Sequence, residues 1–236
     1  STMWNNSEDS FNGYKQFFAQ AEADIEKKLS EKRIQIYTSF TDGYDTPRTD
    51  VRFIVAPNKY ENLAKNAGVV KWRYWDHGIN EEFNMWVDGS IYPLSPGADY
   101  LEILGDNDIC LFEHPWRDCI YDEINETLRM KFDLPEIALP MKERFLKEGY
   151  PAHNGLGETG VMIRRNSKLV REFCAALWKE LEAGSHRDQL AFNYVLSKFP
   201  KLKVKYMPPS VRNHPKFKMI AHERHMGVKD GKLIAH

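Results

Sequence analysis

The chain has 236 residues, 42% of them hydrophobic and 13% aromatic, enough apolar material for one α/β domain and too much for a disordered chain. Its 33 basic and 34 acidic residues leave a net charge of −1, without the basic excess of a nucleic-acid binder. No apolar run approaches the roughly 18 residues of a membrane span, and no charged-then-apolar secretory signal opens the chain, so a cytoplasmic protein is expected.

Phe11, Tyr14, Phe17, Phe18, Ala21, Ile25 and Leu29 recur at helical spacing. They predict a helix over 11–30 in an N-terminal segment, 1–32, ahead of a main domain, 33–236. The period then changes to two: Ile34, Ile36 and Thr38 alternate within a strand at 33–40, closed by Thr41-Asp42-Gly43. Further strands are predicted at 51–55, 69–74, 83–87 and 108–112. Residues 118–149 read as mostly helical, broken near Asp133-Leu134-Pro135 and at Pro140. A strand at 160–163 follows, then a helix at 168–182 capped by Asn166-Ser167, with Leu169, Phe173, Leu177 and Leu181 on one stripe. A helix at 187–198 and a strand at 204–207 complete the pattern. The tail, 208–236, shows no period. Cys110, Cys119 and Cys174 form no CxxC pair and read as buried free thiols.

Alternating strands and helices predict an α/β sandwich with a mainly parallel sheet flanked by helices, whose ligands bind beyond the carboxyl ends of the strands. Trp86-Val87-Asp88-Gly89-Ser90 delivers a carboxylate to that edge, as either a tight turn or a hard-cation site. Glu113-His114-Pro115-Trp116-Arg117 follows another apolar strand and suits recognition of hydroxyls or phosphates, or forms a solvated loop. Gly155-Leu156-Gly157-Glu158-Thr159-Gly160 precedes a strand, which disfavours a dinucleotide fingerprint and leaves a loop lining a sugar pocket with Glu158 and Thr159. Asp188, after His186-Arg187, fits a helix cap as well as a site. The tail histidines His214, His222 and His225 are metal-ligand candidates, with His222 first because Met219-Ile220-Ala221 precedes it.

Taken in order, these segments resemble one family. Tyr37-Thr38-Ser39-Phe40 with Gly43-Tyr44-Asp45, Trp86-Val87-Asp88-Gly89-Ser90, His114-Pro115-Trp116-Arg117 through Glu123, Glu158-Thr159-Gly160 through Arg164, and Arg187-Asp188-Gln189-Leu190-Ala191-Phe192 are similar to the TOD1/MUCI70-like proteins. That family of plants, bacteria and large algal viruses was long catalogued as a domain of unknown function and is now grouped with GT-A glycosyltransferases. Rhamnose-transferring viral members are a looser likeness.

The resemblance implies a GT-A-like (Rossmann-like) fold and a nucleotide-diphosphate sugar donor, a UDP-sugar first. It also implies a glycan hydroxyl as acceptor and Mn²⁺ or Mg²⁺ as cofactor. By the same likeness Thr38, Ser39, Tyr44 and Asp88 bind the nucleotide, and His114, Arg117 and Thr159 the sugar or acceptor. Asp88, Ser90 and His222 hold the metal, and Asp188, Gln189 and Glu158 serve catalysis. The family's Asp-x-Asp reads Asp88-Gly89-Ser90 here, so its second carboxylate is missing. Asp-Gln recurs in retaining families, so retention of configuration is expected. The alternatives are a catalytically inactive sugar- or nucleotide-binding protein on the same fold and, disfavoured by the lysine-free stretch after the first strand, a nucleotidyltransferase.

Overall fold

The computed structural model describes residues 5–41, 48–208, 210–221 and 226–235. In chain order the elements are α1 (Asn5–Arg33), β1 (Ile34–Phe40), β2 (Arg52–Val55), α2 (Leu63–Trp72), β3 (Phe83–Val87), β4 (Ile91–Pro93), α3 (Gly97–Leu104) and β5 (Ile109–Glu113). There follow α4 (Ile120–Arg129), α5 (Pro135–Lys147), β6 (Gly157–Arg165), α6 (Lys168–Ala183), α7 (Phe192–Leu196), β7 (Val204–Met207), β8 (Phe217–Met219), β9 (Met226–Lys229) and β10 (Lys232–Ala235).

Six strands form one sheet in the order β2-β1-β3-β6-β5-β7. All pairings are parallel except those of β6, which runs antiparallel to β3 and β5. The central strands β3, β5 and β6 are buried on both faces. Tyr37, Trp86, Leu111 and Met162 join the core under the larger helical layer. Their neighbours Met85, Val87, Cys110, Phe112, Val161 and Ile163 join a second core with α3 and Phe217. Each such side chain contributes roughly 1.5–3 kcal/mol on burial, which fixes the register, since a slip by one residue would exchange the two faces. The fold is the expected α/β, GT-A-like one, and the three cysteines are buried free thiols as expected.

The predicted strand at 69–74 is instead the end of helix α2. The Asn62 side chain caps it, accepting from Ala64 N–H at 3.0 Å. The β-branched pair Val69-Val70 beside Trp72 reads locally as a strand, and a short apolar run does not separate the two periods. The predicted helix at 187–198 is a 3₁₀ turn at Asp188–Leu190 followed by the short α7. The strand expected at 160–163 begins earlier, at Gly157, and ends at Arg165.

The aromatic stripe of α1 faces solvent: Tyr14, Phe17, Phe18, Ile25 and Leu29 are each more than half exposed. Amphipathic spacing indicates a face, not its neighbour. The tail is ordered in parts. β8 pairs with β4, and β9 and β10 form a hairpin closed by Asp230-Gly231, both at positive φ (52° and 72°). That dipeptide is the tight-turn signal of a two-residue hairpin. Among the described residues no helix is long and apolar enough to cross a membrane.

Candidate functional site

A cleft of about 300 Å³ opens at the carboxyl edge of β1 and β3. Its wall on one side is the stripe Ala64, Ala67, Gly68 and Lys71 of α2, at i, i+3, i+4 and i+7, whose small side chains leave the space open. Its floor holds Ser39, Asp88, Glu158, Thr159 and the 3₁₀ turn with Asp188 and Gln189.

Asp88 ends a strand that is buried throughout, so the sheet itself sets its position. Its backbone N–H donates to Gly160 O at 2.8 Å, and Trp86 Nε1 donates to its Oδ1 at 2.7 Å. Arg48, almost wholly buried, donates to the carbonyls of Asp88, Gly89 and Ile91 at 3.2, 3.3 and 2.7 Å and so clamps the turn. Gly160 leaves the Asp88 carboxylate its room. A Cβ at that position would lie 2.9 Å from Ile91 Cδ1 and 3.2 Å from Asp88 Oδ2.

Lys71, with 6% of its side chain exposed, lies between two carboxylates. Its Nζ donates to Asp188 Oδ2 at 2.7 Å and stands 3.8 Å from Asp88 Oδ1. Asp188 also accepts from Trp72 Nε1 at 3.3 Å and from Thr159 Oγ1 at 2.5 Å. Burial alone would raise the Asp188 pKa. The Lys71 charge, the hydrogen bonds from Lys71 and Thr159, and Arg187 outweigh it, and the carboxyl is held below its ordinary value. Asp188 is therefore ionised at neutral pH and held by three donors.

Glu158, opposite, accepts from Arg212 Nη1 at 3.0 and 2.8 Å. Its pKa is raised, by burial first and by the nearby Asp88 and Glu123, with Arg212 opposing. Glu158, Arg187, Gln189 and Arg212 also line a second cavity of about 340 Å³, entered past His114, Trp116 and Arg117. There the buried Glu123 accepts from Arg117 Nε at 2.5 Å and lies 3.6 Å from Arg187 Nη2. The loop after β5 is thereby braced to the residue preceding Asp188. His114 Nδ1 accepts from the N–H groups of Trp116 and Arg117, and burial lowers the ring's pKa.

Of the residues expected from the sequence, the first cleft gathers Ser39, Asp88, Glu158, Thr159, Asp188 and Gln189. His114 and Arg117 line the second cavity instead. Thr38 is fully buried and Ser90 nearly so, and both hydroxyl oxygens are enclosed, without a hydrogen-bond partner among the described residues. Neither lines the cleft. Tyr44 and His222 lie outside the described residues. The sequence reading missed Lys71, Trp72, Arg48 and Arg212. The i, i+3, i+4, i+7 stripe after the Asn62 cap was the available signal for Lys71.

A reversed strand within an otherwise parallel sheet, with a strand-end carboxylate facing a charged cleft, defines a GT-A-like α/β domain. The profile of the family described as "TOD1/MUCI70, glycosyltransferase-like domain" matches residues 51–224, and the chain belongs to that family. It is 27% identical over 169 residues to alkaline ceramidase TOD1 of Arabidopsis thaliana, covering 65% of this chain and 36% of that protein. The chain thus spans about a third of the length of that curated relative. Among solved structures it is similar to the bifunctional glycosyltransferase WbbM in its apo form, at 13% identity and a TM-score of 0.48, over 80% of this chain and 46% of that one. It is also similar to a glycosyltransferase involved in glycosylation of the major capsid of PBCV-1, at 13% identity and a TM-score of 0.42, over 75% and 82% of the two chains.

Proposed function

We propose that this domain transfers a sugar from a nucleotide-diphosphate sugar, a UDP-sugar first, to a glycan hydroxyl with retention of configuration. The observation that carries the reading is the Lys71 ammonium set between the strand-end Asp88 and Asp188 of the Asp-Gln turn. A fixed cation there faces the charge that grows on a departing diphosphate. Arg187 and Arg212 extend the positive lining toward the second cavity.

Asp88 is the residue that would hold Mn²⁺ or Mg²⁺, since its carboxylate is 42% exposed and lines the cleft. One or two protein carboxylates, with substrate phosphates and water, is the usual Mg²⁺ arrangement, so the missing second carboxylate of the motif does not exclude the ion. Bound there, the cation would neutralise the leaving group. The enclosed Ser90 hydroxyl does not supplement Asp88 in this conformation.

Asp188 fixes Lys71 and places negative charge near the anomeric carbon, where positive charge develops. Gln189 lines both cavities and faces the sugar between them. Asp188, held ionised by three donors and with its pKa lowered, is a weak base, and Glu158 is paired with Arg212, so the departing phosphate is left as the base for the acceptor proton. This favours retention. Release of Glu158 from Arg212 would make its raised-pKa carboxyl the base of an inverting route. Ser39 and Tyr44 serve the nucleotide, and the cavity of His114, Trp116 and Arg117 receives the acceptor.

The test is hydrolysis and transfer across a panel of nucleotide-diphosphate sugars with Mn²⁺, Mg²⁺ or EDTA, with product anomers read by NMR. Turnover of one donor, abolished by EDTA and by Asp88→Asn, with a retained anomer, is the expected result. Donor binding without turnover would instead support a non-catalytic binding protein. Release of fatty acid from ceramide without donor turnover would replace the reading with the activity in the Arabidopsis relative's name.

A further inference from the structure

The segment Asp118-Cys119-Ile120-Tyr121-Asp122 lies within the stretch His114 through Glu123 that carries the family resemblance, yet neither Asp118, Cys119 nor Asp122 lines either cavity. Cys119 and Asp122 are three residues apart at the start of α4, which puts both on one side of its first turn. The loop after α5 brings His153 against them. Among the described residues, Cys119, Asp122 and His153 each offer a ligand atom within 4.8 Å of the other two.

Three features fit this group to a borderline-soft cation. The donor set is mixed, with one sulfur, one imidazole nitrogen and one carboxylate oxygen, a combination suited to Zn²⁺ rather than Mg²⁺. The imidazole is already oriented, because its Nδ1 lies 2.6 Å from Asp118 Oδ1, the carboxylate–histidine pairing that steadies a zinc ligand. The loop is also held in a demanding conformation. His153 adopts φ 53°, and Gly155 N–H donates to Asp118 O at 2.9 Å, pinning the loop to the segment that bears Cys119.

We propose that Cys119, Asp122 and His153 form a Zn²⁺ site at the outer end of α4, with water in the fourth position and Asp118 steadying the histidine. The ion would tie the loop before β6 to the segment after β5, and so brace the segment whose His114, Trp116 and Arg117 wall the second cavity. Around a tetrahedral Zn²⁺, ligand atoms sit roughly 3.5 Å apart. Asp122 is exposed, as are His153 and its partner Asp118, so Asp122 by rotating and the His153–Asp118 pair by moving together can close the remaining distance. Binding displaces the Cys119 thiol proton to solvent, and the resulting thiolate and the Asp122 carboxylate balance the dication.

The experiment titrates the metal-free chain with Co²⁺ and then Zn²⁺ in excess Mg²⁺, following the thiolate-to-cobalt charge-transfer band in the near ultraviolet. One Co²⁺ per chain, a thiolate band and displacement by Zn²⁺ but not Mg²⁺ are expected. Asp118→Asn should weaken Zn²⁺ binding about 10- to 100-fold, and His153→Ala and Asp122→Asn by more. Cys119→Ser should remove the band, and Asp88→Asn should leave it unchanged. A Co²⁺ spectrum without the band, a band that survives Cys119→Ser, or Zn²⁺ affinity unchanged in His153→Ala overturns the site. The exposed His153 and Asp122 keep the test decisive even if Cys119→Ser fails to fold.

Discussion

The buried guanidinium of Arg164 donates to the carbonyl of Lys71 at 2.8 Å, so an arginine on β6 sets the end of the helix whose last turn carries the cleft cation. Its other hydrogen bonds go to Asn84 Oδ1 at 2.8 Å, to the Tyr37 hydroxyl and, at 3.9 Å, to Cys174 Sγ, and its face covers the Tyr74 ring at 4.5 Å. These partners are neutral. The carbonyl end of α2 supplies part of the compensating charge, because a helix C-terminus carries a partial negative charge.

Arg164→Met is therefore expected to cost on the order of 3 kcal/mol, because the buried Asn84 Oδ1 and Tyr37 hydroxyl oxygen lose their donor and the Lys71 carbonyl keeps only the Tyr37 hydroxyl, at 3.2 Å. Arg164→Lys keeps the charge but loses the fork, and should fall between the two. Urea midpoints measure this. A midpoint for Arg164→Met equal to that of the wild type would mean that Lys71 is positioned by other contacts.

Lys71→Met should reverse the pH dependence that Asp188 contributes to stability. In the wild type the folded pKa of Asp188 is depressed, so its contribution is present above the unfolded value of about 3.9 and is lost as pH falls through the folded pKa. Without Lys71, burial dominates and lifts that pKa above the unfolded value. The contribution is then present at low pH and is lost as pH rises through the new folded pKa. Unfolding at a series of pH values from acid to neutral checks this. The variant should gain on the wild type with every step toward acid, and parallel curves would refute the pairing.

Legibility in the sequence followed how local each signal was. Asp88 was readable because residues 83–87 are apolar but for Asn84 and a turn follows at once, so strand and site coincide. Helix α6 was readable from one stripe and its Ser167 cap. Lys71 was not, because Val69-Val70 carries the local preference of a strand, and the helix is decided by the Asn62 cap and by packing against α6. Arg212 comes from a tail without period and gains its place only by meeting Glu158, far away in sequence. The enclosed hydroxyls of Thr38 and Ser90 mark a further limit. Adjacency in sequence to a strand end does not say which way a side chain points.

Asp88→Asn should lower metal-assisted donor turnover about 10²- to 10³-fold while changing stability by no more than about 0.5 kcal/mol. The carboxylate is 42% exposed, and asparagine can still accept from Trp86 Nε1. Gly160→Ala should act in the same direction without touching the carboxylate. The Ile91 side-chain tip can turn aside from the new Cβ, so the Asp88 oxygen at 3.2 Å is the atom that must shift. Turnover against Mn²⁺ concentration should show a weaker requirement met only at higher metal. Unchanged metal dependence in both variants would remove Asp88 from the metal's shell.

Trp116→Ala should separate acceptor from donor. The ring is 68% exposed at the mouth of the second cavity, with the Arg212 guanidinium 5.0 Å above it and the His114 ring 5.8 Å away. A large aromatic surface left in water beside a polar pocket suits the apolar face of a sugar ring. Its loss should raise the acceptor KM about tenfold, equivalent to ~1.4 kcal/mol, with donor hydrolysis in the absence of acceptor and thermal stability both unchanged. If donor hydrolysis falls equally, Trp116 acts through the Arg212–Glu158 pair at the junction of the two cavities. The acceptor would then have to enter along the α2 wall instead.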